Sequence, residues 1–447
     1  MKTTILLAVL SLLVAVAANG ASTAFVNVNV IPMTSETVLY GKTVIVTDGR
    51  IAAIGNVERT SLPLDAVVVD GTDRYLLPGL VEMHGHIPGG ASQHLQRTLS
   101  LFVANGVTTV RGMLGQPSHL ELRRSIAAGK TLGPRLITSG PSLNGRSVSS
   151  PAAAIAMVEA QHAAGYDFLK IHPGLTRPEF DAMAATARRL DMPFAGHVPE
   201  DVGIRRAMDA GIATVDHLDG YMQALLPANE DPLGGLAGYF GVFLADQADE
   251  RKIAEVVAAT VAAAVWNVPT ESLFEHVTSA ALDVDEMVTW PEMVYMPAAT
   301  VSQWQQAKRE LLGDVNYDAA TAAHAVRIRQ RLIAELHAAG AGLLLGSDSP
   351  QIFNVPGFAI HRELEFMVAA GLTPFAALET GTINAARFFN EESDYGSVTS
   401  GKVADLVLLD ANPLQDISNS RRVHGVMLAG RWLSRFDLDR LLEQYER

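Results

Sequence analysis

LPGLVEMHGHI, residues 77–87, is an apolar strand pattern that ends in two imidazoles two residues apart. Side chains at i and i+2 of a strand point to the same side. His84 and His86 can therefore reach one metal ion together, and neutral imidazole is among the commonest ligands for zinc and its neighbours. A His-x-His pair also arises by chance in a chain with 13 histidines, so the rest of the sequence must decide its meaning.

Outward from this stretch, apolar strand-like segments alternate with helical ones. They are GLVEMHGH, VTTVRGM (107–113), RLITSG (135–140), FLKIH (168–172), PFAGHV (193–198), ATVDHL (213–218), WNVPTE (266–271) and GLLLGSD (342–348). Helix-period stretches lie at Pro151–Ala164, Arg177–Leu190, Ala319–Ala339 and Phe358–Ala370, three of them followed by Gly165, Gly340 and Gly371, as a helix C-terminus prefers. Eight such β/α units predict an α/β fold of the TIM-barrel type, with the active site at the C-terminal ends of the strands. The stretch from Asp219 to Val265 is anomalously long for one connection, as is Phe274–Gly340. Loops of that length are usually lids, specificity elements or dimer contacts, which leaves a homo-oligomer open.

Both ends of the chain read differently. FVNVNVIP, KTVIVTDGRIAAIG and DAVVVDG near the start, and KVADLVLLD (402–410) with VHGVMLAGRWL (423–433) near the end, are short β-rich runs between turn residues. They predict a small β-domain built from residues 22–76 and 398–447 around a barrel of residues 77–397, with a long insertion at 219–265. MKTTILLAVLSLLVAVAANG at the start carries only Lys2, then an apolar run too short to span a bilayer, and predicts a signal peptide over residues 1–20 cleaved after Ala18, Gly20 or Ala21. The expected location is secreted or periplasmic, with no stable membrane anchor after processing. At 447 residues the chain has ample material for a large core. Its formal net charge of −14 argues against DNA, RNA or an anionic membrane as partner. No cysteine is present, so a metal must be held by His, Asp, Glu or a Lys-derived oxygen.

The chemistry-bearing residues fall at strand ends: His84 and His86 on the first, Lys170 in the fourth, His197 in the fifth, His217 in the sixth and Asp348 on the eighth. Each also has a plain structural reading: a snorkelling lysine, satisfied core histidines, an N-cap aspartate. Together, six such groups on one barrel rim are hard to bury without a metal, because unpaired burial costs about several kcal/mol each. Two imidazoles and an aspartate can hold one ion, two further imidazoles a second, and a carbamate on Lys170 can bridge them. An uncarboxylated ammonium would instead set a cation beside two dications.

These motifs, with GVTTVRGM, GPRLITSG, DFLKIH, AGHV, TVDHL, GLLLGSDS and SGKVADLVLLDANPL, resemble the metal-dependent amidohydrolase superfamily, closest to its imidazolonepropionase-like and Xaa-Pro dipeptidase (prolidase-like) branch. The resemblance runs from about Val44 to Leu433. It implies a distorted (β/α)8 barrel with a composite β-sandwich from the two termini, and two divalent ions, zinc being the expected metal. His84 and His86 would hold the more buried ion and His197 and His217 the more exposed one. Carboxylated Lys170 would bridge them, its carbamate derived from CO2, and Asp348 would bind metal and take the nucleophile's proton. The implied reaction is hydrolysis of an amide or peptide-like C–N bond in a small molecule of dipeptide or N-acyl amino acid type, by a metal-bridging hydroxide. A cyclic amide, a lactone or a phosphotriester on the same metals is the alternative, and a catalytically silent binding relative a further one. The sequence departs from the pattern at Arg111-Gly112, where relatives have Arg-Asp, and at Val198-Pro199. Arg111 and Tyr221 on rim loops, His172 beside Lys170, and His361 near the aspartate loop are further candidates for substrate contact.

Overall fold

The computed structural model describes residues 22–227 and 237–447. The expected signal peptide (1–20) and part of the 219–265 insertion lie outside the described residues, among which no helix is long and apolar enough to cross a membrane.

Strands β1 (Thr23–Val30), β2 (Leu39–Thr47), β3 (Arg50–Asn56), β4 (Val67–Asp70) and β5 (Tyr75–Pro78) open the chain. Seven short strands follow: β6 (Leu80–Gly85), β7 (Val107–Gly112), β8 (Arg135–Thr138), β9 (Leu169–Ile171), β10 (Phe194–Gly196), β11 (Thr214–Asp216) and β12 (Trp266–Val268). The chain closes with β13 (Leu406–Leu409), β14 (Val423–Leu428) and β15 (Arg431–Ser434). Both ends meet in one eight-stranded sheet of order β15-β14-β13-β5-β1-β2-β3, with β4 on β1. Its alternating residues bury Phe25, Val44, Leu76, Leu406 and Met427 in a separate apolar cluster, against which Trp432 packs edge-on to Phe25. The shared unit expected from the two termini is therefore a single composite sheet by its pairing.

The middle strands are parallel and buried on both faces, which is why they read as continuous apolar runs. They form two sheets, β6-β7-β8 and β9-β10-β11-β12. Isolated bridges connect them: Ser139 to Phe168 between β8 and β9, Asn267 to Leu343 after β12, and Ser349 back to Gly85 of β6. The expected eighth strand, 342–348, is thus not a continuous strand. Leu344 N–H and Met83 N–H still make ladder-like bonds to Asn267 O and Leu345 O at 2.9 and 2.8 Å. The ladder breaks at Gly346, where a Cβ would lie 2.5 Å from Val268 and 2.9 Å from the His84 nitrogen, and at Asp348, whose φ is +58°.

The helices lie where their signals place them. Pro151–Ala164 starts on Ser150, whose hydroxyl accepts from Ala153 N–H, and stops at Gly165 with φ +82°. Arg177–Arg189 carries a capping box between Thr176 and Glu179. Ala319–Ala338 and Phe358–Ala369 pack Leu332, Leu336, Ile360 and Leu364 into the main core beside Phe102 and Phe180. The two long connections correct a sequence expectation, because both are largely helical. The first contains Ile253–Ala262, and the second contains Glu271–Thr278 and Ala298–Leu312 before Ala319–Ala338. Apolar residues spaced around each helix supply the burial that a free loop would lack.

Candidate active site

His84, Lys170, His217 and Asp348 are buried together where β6, β9, β11 and the 342–349 segment end, with half-buried His86 and His197 beside them. His86 Nε2 lies 2.7 Å from Asp348 Oδ1, His84 Nε2 3.6 Å from the same oxygen, and His217 Nε2 3.8 Å from Asp348 Oδ2. Lys170 Nζ is 3.4 Å from His84 Nε2. The His217 ring is centred 4.6 Å from both the His84 and the His197 rings. All six residues singled out at strand ends are therefore brought to one place.

Their backbones are held by the strands' own hydrogen bonds. His217 N–H reaches Val268 O, His197 N–H reaches Ile171 O, and His86 N–H reaches Ser349 O. Gly196, at φ +123°, makes room for the Lys170 stem: a Cβ there would fall 2.8 Å from Lys170 Cδ. His217, Thr270 and Asp348 all take the left-handed region, at φ +64°, +50° and +58°. Such conformations cost of the order of 1–3 kcal/mol each and gather where geometry is over-determined.

Partners behind the rings set their direction. Asp216 Oδ2 sits 2.8 Å from His84 Nδ1, too obliquely for a well-aligned hydrogen bond, Thr270 Oγ1 2.8 Å from His217 Nδ1, and Asp219 Oδ2 3.0 Å from His197 Nδ1. Assigning the proton of each ring to Nδ1 leaves three Nε2 lone pairs turned inward. Burial pushes His84 and His217 well below the usual imidazole range, which favours the neutral, lone-pair-bearing form. Burial likewise lowers Lys170 to about 8, against the opposing pull of Asp216 and Asp348.

This donor set suits a divalent metal. His84, His86 and Asp348 each offer one ligand atom within 4.8 Å of the others, and Asp348 Oδ1 is buried without an aligned hydrogen-bond partner. Two lone pairs and a carboxylate oxygen facing one point have no other evident use. Above them opens a cavity of about 710 Å3, whose wall includes His172, Tyr239 and Phe240. Phe240 stacks on His217 at 4.7 Å, and His172 stacks on His197 at 5.1 Å.

Three of the four proposed substrate contacts need correction. Arg111 is not on a rim loop but inside β7, 1% exposed, donating to Met83 O and to Thr214 and paired with Asp216 at 3.3 Å. Tyr221 is buried, its hydroxyl donating to Asn267 Oδ1 at 2.8 Å and lying as close to Thr260 Oγ1. His361 faces Ser420 at 3.0 Å rather than the aspartate loop. In each case a buried environment with one to three fixed polar partners has claimed the side chain for the core. Only His172 lines the cavity.

Sequence reasoning passed over the residues behind the ligand cluster. Asp216 is one. Glu82 is another, accepting from His84 N–H, Ser347 N–H and Ser347 Oγ–H, with burial raising its carboxyl to about 8. Arg329 is a third, donating to His217 O, Pro269 O and Glu271, and so pinning the turns after β11 and β12. The signals were present in VDH, VEMH and the polar interruption of helix 319–338, but each partner lies far away in sequence. Glu275, near this arginine, has its carboxyl pushed up to about 8 by burial and by the charge of Glu271. The unfolded chain loses that proton near 4.5 and the native state near 8, so the native form binds more protons between them and stability falls as pH rises through that window. Glu275→Gln is expected to flatten the decline, as read by chemical denaturation across the same range. An unchanged slope removes Glu275 from the effect.

Comparison with known proteins agrees with this architecture. A bottromycin amidohydrolase structure superposes with a TM-score of 0.72 at 24% identity, covering 95% of this chain and 89% of that one. A Xaa-Pro dipeptidase with methionine bound in its active site gives 0.66 at 20% identity, covering 93% and 100%. These likenesses establish the fold. Enamidase of Eubacterium barkeri is 37% identical over 95 residues, so the match spans 21% of this chain and only 24% of that relative. The Amidohydrolase family model matches residues 75–433, a span that runs from β5 to β15 and encloses every residue of the histidine cluster, and the chain therefore belongs to the Amidohydrolase family.

Proposed function

We propose that this protein is a metal-dependent hydrolase of an amide or peptide-like C–N bond in a small molecule, working on two divalent ions, zinc by preference. The observation that carries the reading is the convergence of four imidazoles, Asp348 and Lys170, with His84, His86, His197 and Asp348 lining one cavity and Lys170 and His217 buried against them. His84 and His86 would hold one ion, His197 and His217 the other, with Asp348 and a carboxylated Lys170 completing the set. The ammonium of Lys170 first gives up a proton, and the free amine then adds to CO2 and releases a second, turning a buried cation into an anion with two ligand oxygens. We read the ring of parallel strands and isolated bridges as a distorted (β/α)8 barrel, the composite terminal sheet as a folded β-sandwich, and the chain as exported.

Divalent ions in such a site polarise the amide carbonyl and bring the acidity of water near neutrality. The protein's own groups do the rest. Asp348 accepts the proton of the attacking water and returns it to the departing nitrogen. Asp216, Thr270 and Asp219 keep the imidazoles aimed, and Phe240 keeps bulk water off His217.

Elemental analysis of protein reconstituted with zinc tests the proposal: about two ions per chain are expected by the ligand count of a tetrahedral site. A stoichiometry near zero overturns it. Lys170→Ala is expected to lose binuclear loading, and short carboxylic acids to restore part of it by occupying the bridge. Two tightly held ions and full activity in that variant refute the role of Lys170.

A further inference from the structure

Beyond the histidine cluster, the side chains around the cavity carry one sign of charge. Glu200 and Asp201 stand at its exposed mouth and Asp219 deeper in. Among the described residues no lysine or arginine lines it. Asp219 is held by His197 Nδ1 and Val198 N–H, whereas Asp201 at the mouth accepts a backbone N–H from Arg177. Two aromatic rings in contact at 4.3 Å, Tyr239 and Phe240, line the same cavity.

A substrate carboxylate at the mouth of this cavity, away from the histidines, would meet Glu200 and Asp201 and no guanidinium or ammonium to hold it. A quaternary or protonated amine would meet carboxylates at the mouth and aromatic rings in the same cavity wall, the two features that stabilise organic cations. We propose that the substrate is a cationic amide, with an ammonium group held between Tyr239–Phe240 and Glu200–Asp201 while its carbonyl lies over the histidines. The proposal rests on the amide-hydrolase reading above and narrows it, excluding N-acyl amino acids whose only charge is a carboxylate. A competing anchor is Arg146, which lines an adjoining open recess sharing His172, Pro173 and Gly174 with the main cavity.

Two measurements separate the possibilities. The first is binding, by calorimetry on the zinc-loaded full chain, of hexyltrimethylammonium and hexanesulfonate, neither of which has an amine lone pair. The ammonium probe is expected to bind about tenfold or more tightly than the sulfonate, and Glu200→Gln with Asp201→Asn to remove most of that margin. The second is hydrolysis of alanylalanine with its ends free, N-acetylated, C-amidated or both, where the amidated member with a free ammonium should show the highest kcat/KM. Tighter binding of the sulfonate, or an ammonium margin unmoved by the double variant, overturns the proposal. So does a preference for the acetylated, carboxylate-bearing peptide that disappears in Arg146→Ala. Ammonium binding that behaves as expected, without turnover of any amide, leaves the cation site standing and refutes the hydrolase reading instead.

Discussion

Asp348→Asn is expected to keep the fold and much of the metal while losing turnover by on the order of 10² to 10⁴, the range usual for a general acid–base group. The substitution is mild for the backbone, because asparagine tolerates the left-handed conformation that Asp348 adopts at φ +58°. It is also mild for coordination, since one amide oxygen still faces His86, whose Nε2 is 2.7 Å from Asp348 Oδ1. What it removes is basicity at an oxygen that no aligned hydrogen bond occupies. Turnover and metal content measured on one preparation decide the matter. Activity near wild type takes Asp348 out of the proton path, and joint loss of metal and activity reduces it to a ligand.

Asp216→Ala is expected to be the most destabilising single change at the site, by about 3–5 kcal/mol, the usual cost of stripping one partner from a buried ion pair. Arg111 and Asp216 are 1% and 0% exposed. Burial pushes the Arg111 guanidinium down and Asp216 opposes that push, so alanine leaves a cation stranded beneath the histidines. The same change frees the His84 ring from the oxygen 2.8 Å behind it. Asp216→Asn, which keeps an acceptor for Arg111 and for Thr214 Oγ–H, is expected to cost less. Urea denaturation of the two variants measures both effects. A loss below about 1 kcal/mol for alanine, in the range of an exposed pair, means that water replaces the carboxylate.

Local signals carried much of this molecule. The i, i+2 pair His84 and His86, the serine cap before Pro151, and glycine after Ala164 each work within a few residues, and the structure places them as their chemistry requires. What escaped were partners separated by long stretches of chain. Nothing near Asp216 in sequence announces His84 or Arg111, since both meet it only after β6, β7 and β11 come together. Arg111, Tyr221 and His361 went astray for a related reason: a polar residue near a strand end looks alike from sequence whether it faces a cavity or a single buried acceptor. The 342–348 run reads as a strand because its apolar content matches one, while its broken ladder follows from the close approach of Gly346 to the His84 backbone.

The register of β13 on β5 pairs Leu406 with Pro78 and Leu409 with Tyr75, across more than three hundred residues. The entropic price of so long a loop grows only logarithmically, roughly as 1.5RT times the logarithm of its length, and the finished sheet can bear it. The kinetic demand is heavier, because pairing this remote in sequence is slow to form. During synthesis, β5 leads straight into the strand that carries His84, with His86 just beyond it, while the edge of β5 that pairs with β13 stays bare until Leu406–Leu409 leave the ribosome. The first ligands to be made thus follow directly on a strand whose β13 partner is made more than three hundred residues later, and a ribosome that stalls between Ser349 and Leu406 holds a chain with all six ligands made and that edge of β5 still unpaired.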